Sequence, residues 1–101
     1  MEKTIEQEKL ELKQAYNWAL KVQKACFLKQ IDITVKLGYC VANRSERNLH
    51  AWTVTVQIWD SAMEEHTTAE YRPWYGWDVF ESEKKAIEAY LRGKGVKINN
   101  K

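Results

Sequence analysis

Proline occurs once in the 101 residues, at Pro73, and glycine four times, at Gly38, Gly76, Gly93 and Gly95. So little punctuation excludes a flexible linker, an internal low-complexity tract and any collagen-like repeat. The glycines match no phosphate-cradling or dinucleotide spacing, which excludes the common nucleotide-binding loops. Cysteine is sparser still. Cys26 and Cys40 form no Cys-x-x-Cys pair, and with no secretory signal ahead of them two reduced thiols are expected rather than a disulfide. No apolar run approaches the roughly 18–20 residues needed to cross a bilayer. The opening Met1-Glu2-Lys3-Thr4 is charged and polar, with no apolar stretch behind it to serve as a leader. A cytoplasmic protein without a membrane partner is the expectation.

What is present is the balance of a folded chain, with 45% hydrophobic and 30% charged residues. The length fits one domain, residues 1–101, with a single core. The 16 basic and 14 acidic residues leave a net charge of +2, distributed unevenly. Ser61 to Glu81 holds five acids against Arg72 alone, whereas Ser82 to Lys101 holds six bases against Glu83 and Glu88. Six bases in a helix and tail are compatible with an ordinary solvated face and also with polyanion binding.

Hydrophobic periodicity orders the elements. Residues 4–28 read as one long helix, opened by a Thr4/Gln7 capping box and carrying Ile5, Leu12, Ala19 and Cys26 at seven-residue intervals. From Ile31 to about Ala42 the period changes to two, with Ile31, Ile33, Val35, Leu37, Tyr39 and Val41 on one side. A polar turn, Asn43 to Asn48, leads to a second alternating run over about 49–60, and the pair predicts an antiparallel hairpin. Asp60 to Thr68 reads as an acidic loop. A third strand is expected over about 69–80, with Pro73 at an edge or a bulge. Ser82 is a suitable N-cap for a helix over 83–92, Gly93 is placed to end it, and Val96 to Ile98 has the pattern of a brief edge strand. The fold class is therefore α+β, in the order α-β-β-β-α with room for a final β: a three- to four-stranded antiparallel sheet with one long and one short helix.

Aromatics carry the most information about a working surface. Five of them, Tyr71, Trp74, Tyr75, Trp77 and Phe80, fall within ten residues. If Tyr71, Tyr75, Trp77 and Val79 face the core, then Trp74 and Phe80 face away from it. Parity also sends Trp59 away from Trp52, Val54, Val56 and Ile58. The expected docking surface is a helix-free sheet face presenting Trp59, Trp74 and Phe80 beside the acids Glu64, Glu65 and Glu70, while Trp18, Trp52 and Trp77 belong to the core. The competing arrangement folds the short helix or the Asp60–Thr68 loop over that face, or shifts Trp74 inward through a bulge at Pro73.

Catalytic and metal signatures are weak. Cys26, Cys40, His50 and His66 are separated by 14, 10 and 16 residues, a spacing unlike the close ligand pairs of structural zinc sites. Cys40 and His50 could meet across the first hairpin, but nothing around them signals an activated thiolate. No enzyme activity, metal or cofactor is expected. The element order, with Ser82-Glu83-Lys84-Lys85-Ala86 opening the last helix and His50 in the first hairpin, resembles the double-stranded-RNA-binding domain. That resemblance implies Lys84 and Lys85 at phosphates. It covers only the layout and five residues, and it departs from the family at Asn48-Leu49, in the longer first helix and second turn, and in the surrounding Glu81, Glu83 and Glu88. The leading expectation is a non-catalytic protein-binding module, an inhibitory or accessory factor of the kind phage and mobile elements carry, whose partner is another protein or a second copy of the chain. The alternative is nucleic-acid binding through Lys84, Lys85, Arg92, Lys94 and Lys97.

Overall fold

The computed structural model describes residues 5–39, 52–72 and 76–98. The order is helix α1 (Ile5–Leu28), strand β1 (Ile33–Tyr39), strand β2 (Trp52–Asp60), strand β3 (Glu65–Tyr71) and helix α2 (Trp77–Gly93), an α+β arrangement with β2 central in an antiparallel sheet. Thr4, Cys40, Val41, the segment 43–48 expected as a turn, and residues 73–75 lie outside the described segments.

The inward face of α1 is built from Ala15, Trp18, Ala19, Val22 and Cys26, all buried. The two alanines let the helix backbone approach the sheet closely. Gln30, at φ 60°, then terminates the helix in a left-handed turn. Its amide donates to the Phe27 carbonyl at 3.1 Å, and the Ile31 amide donates to the Cys26 carbonyl at 2.9 Å. This double bond pattern is a Schellman cap, and it turns Ile31 back onto the core.

Alternation along β2 gives the sheet two unlike faces. Val54, Val56 and Ile58 are fully buried beneath the helices, joined by Ala69 and Tyr71 of β3. Register places Val35 opposite Val56 and Val56 opposite Ala69, so one apolar row crosses all three strands. The intervening residues Thr34, Lys36, Trp59, His66 and Thr68 are exposed on the helix-free side.

The structure corrects the second half of the expected layout. The third strand spans Glu65–Tyr71, where a loop was expected, and a four-residue turn at Ser61–Glu64 joins it to β2. The Asp60 carboxylate organises that turn by accepting the amides of Ala62 at 3.0 Å and Met63 at 3.3 Å. The segment expected as the end of a strand instead opens α2. Trp77, Phe80, Lys84, Ile87 and Leu91 recur at helical spacing, and Phe80, Ile87 and Leu91 are buried. Ser82 consequently sits inside α2 and caps nothing; the N-cap is Gly76, with Asp78 in the first turn. Nor does Gly93 supply the left-handed residue. Gly95 does, at φ 81°, with the Val96 amide reaching the Leu91 carbonyl at 2.9 Å and Val96 buried. Residues 96–98 add no strand; Val96 and Ile98 pack onto the core after the cap.

Candidate functional site

The expected docking residues separate into three groups. Trp59 lies on the helix-free face, 37% exposed, directly opposite His66 on β3. Their rings meet edge-on at 5.1 Å between centroids, so the indole is braced on one side and open on the other. Met63, in the adjoining turn, is 64% exposed, and Glu64 and Glu65 beside it are exposed as well. The β2–β3 hairpin end therefore gathers an indole, a thioether and two carboxylates. Met63 was not singled out from the sequence, because the span that carries it read as a polar loop.

Glu70 is held rather than offered. Its carboxylate accepts from the Arg72 guanidinium at 2.8 Å and from the Thr55 hydroxyl at 3.3 Å. Phe80 is a correction: it is 1% exposed and sits in the core, because residue 80 lies on the inner face of a helix and not on the outer face of a strand. Its ring contacts Trp18, Tyr71 and Trp77 at 5.6, 5.9 and 5.2 Å. Trp74 lies outside the described residues.

The assignments of the other indoles to the core also divide. Trp18 is buried, with its Nε1–H donating to Glu88 at 2.9 Å. Trp77 packs against the core from the first turn of α2 and donates Nε1–H to Glu81 at 2.9 Å. Trp52 is a correction, at 39% exposed: it shares the inward parity of Val54 but sits at the strand end, beyond the helix cover.

The basic candidates lie on or after α2. Lys84 runs between the helices, its ammonium 3.7 Å from Glu81 and over the rings of Trp18 and Phe80. Trp18, Trp77, Glu81, Lys84 and Glu88 line a groove of about 520 Å³ between α1 and α2, in which both indole N–H groups are already paired with carboxylates. Lys94 lies over the Tyr90 ring, while Lys85, Arg92 and Lys97 are exposed. Since α2 begins at Trp77, the Ser82–Ala86 sequence lies in its interior and does not open it. No protein-family model, curated protein or solved structure matches this chain.

Of the thiol and imidazole candidates, the two among the described residues, Cys26 and His66, do not converge. Cys26 is buried between α1 and the sheet, where desolvation pushes its pKa up to about 11 and disfavours the nucleophilic thiolate. His66 lies on the opposite side of the sheet, so the two cannot share one metal ion. Cys40 and His50 are outside the described residues, among which no group of three metal-ligating side chains comes together. Burial and the neighbouring Glu11 and Glu8 carboxylates also push the Tyr71 phenol up; its hydroxyl donates to Glu11 at 3.2 Å. Among the described residues no helix is long and apolar enough to cross a membrane.

Proposed function

We propose that the chain is a small non-catalytic protein-binding module, an accessory or inhibitory factor that docks on another protein through the β2–β3 hairpin end. The observation that carries this reading is the exposure of Trp59 and Met63 beside Glu64 and Glu65. A half-braced indole makes a low-entropy anchor for a partner's apolar pocket, and the carboxylates favour a pocket rimmed by lysine or arginine. Glu70, bound to Arg72 and Thr55, stiffens the sheet behind that anchor.

Affinity capture with the wild-type chain and with a Trp59→Ala/Met63→Ala variant tests the proposal. A protein retained by the first and lost by the second, with melting nearly unchanged, supports it. Equal retention by both overturns it. Nucleic-acid binding through Lys84, Lys85, Arg92, Lys94 and Lys97 is less well supported, because Lys84 is engaged by Glu81 and by two rings. That reading demands binding that weakens steeply with salt.

A further inference from the structure

The two edges of the sheet are finished differently. Along β3 the outward amide of Glu70 donates to the Glu83 carboxylate at 2.8 Å, so a side chain of α2 caps that edge at Glu70. Among the described residues no strand pairs with β1 on its outer side. Which groups point there follows from the ladder. The Trp59 amide donates to the Asp32 carbonyl at 3.1 Å, and register pairs Thr34, Lys36 and Gly38 with Gln57, Thr55 and Thr53. Backbone groups alternate along a strand, so the N–H and C=O of Ile33, Val35 and Leu37 face outward.

Apolar side chains flank that open edge. On α1, Trp18 and Lys21 line the groove toward α2. At about 100° per residue, Leu12, Tyr16, Leu20 and Phe27 fall on the flank turned away from α2, on the β1 side. Phe27 is 75% exposed, and Leu20 and Leu37 are also exposed.

We infer that β1 pairs with β1 of a second copy of the chain, giving a two-fold dimer with one continuous six-stranded sheet. Charge selects the occupant and the register. With Thr34 on the two-fold axis, Asp32 of each copy stands opposite Lys36 of the other, in closely spaced pairs on the helix-free face, and Ile33 exchanges backbone bonds with Val35. A symmetric contact must be self-complementary, and Asp32/Lys36 meets that requirement within one strand. An axis perpendicular to the sheet leaves both copies of α1 on the same face, where their Leu20 and Phe27 flanks meet. This contact goes beyond the Trp59 surface, and failure of either proposal leaves the other standing.

Sedimentation equilibrium of the full chain, from low to high micromolar, tests the dimer. The wild type should approach twice the 11.9 kDa chain mass. Asp32→Lys puts like charges opposite each other twice and should weaken dimerisation by about tenfold or more. Combining Asp32→Lys with Lys36→Asp should restore it, a rescue that no loss of folding could imitate. Val35→Pro removes an outward amide from the edge and should give a folded monomer by circular dichroism. A wild type that stays monomeric throughout, a dimer indifferent to Asp32→Lys, or one not rescued by the charge swap would overturn the inference.

Discussion

Truncating Phe80 to alanine, beside a Val79→Ala control, decides which way residues 77–80 are wound. In helix α2 the Phe80 ring is 1% exposed and touches three other aromatic rings, whereas Val79 is 45% exposed. Removing a buried phenylalanine from such a cluster costs about 3–5 kcal/mol, through lost transfer free energy and the cavity left among the rings. Domains of this length are stable by roughly 5–15 kcal/mol, so the loss is a large share of the whole. It should lower the melting temperature by about 12 °C or more. Val79→Ala should cost under about 0.5 kcal/mol, as an exposed substitution. Urea unfolding followed by far-ultraviolet circular dichroism measures both. A strand over the same residues reverses the order, with Val79 inside and Phe80 outside, so a larger loss for Val79→Ala would refute the helical packing.

Further expectations concern the turn and the titrating core. Glu64 adopts φ 56°, a left-handed conformation that strains a side chain, so Glu64→Gly should raise stability by roughly 1 kcal/mol in the same urea titration. A loss of stability there would contradict the turn geometry. Stability should also fall on the alkaline side. Cys26 is raised from 9.0 to about 11, so the folded state keeps a proton that the unfolded chain releases. Its contribution is complete below pH 9 and lost as pH climbs to 11, about 3 kcal/mol across that window. Tyr71, shifted in the same direction, adds to the decline above its ordinary 10.0. Urea midpoints that stay flat from pH 8 to 11 would show both groups to be solvated.

The long helix and the first two strands were legible in the sequence because their periods are unmixed: seven-residue recurrence through Cys26, then strict alternation from Ile33 and from Trp52. The third strand was not. Of Glu65 to Tyr71 only Ala69 and Tyr71 are buried, so the segment reads as a polar loop and is defined by its ladder to β2. Local aromatic density then drew the strand downstream, because Tyr71, Trp77 and Val79 satisfy a period of two as readily as Trp77 and Phe80 satisfy a helical one. What separates the two is Lys84, a charged residue on the inner stripe whose side chain covers Trp18 and Phe80. Phe80 changed sides with that reassignment, leaving Trp59 with the exposed Met63 of the adjoining turn. Gly93 was the expected helix end, but the left-handed residue is Gly95, and the burial of Val96 that follows it accounts for the later cap. The open edge of β1 has no local signature, since strand order is a property of the assembled sheet.

The docking proposal is tested most directly by hydroxyl-radical footprinting of the chain alone and in complex with a captured partner. Trp59 and Met63 should be oxidised readily in the free chain and strongly protected in the complex, while Phe80 and Ile87 stay unmodified in both. Equal oxidation of Trp59 and Met63 with and without the partner would contradict the account.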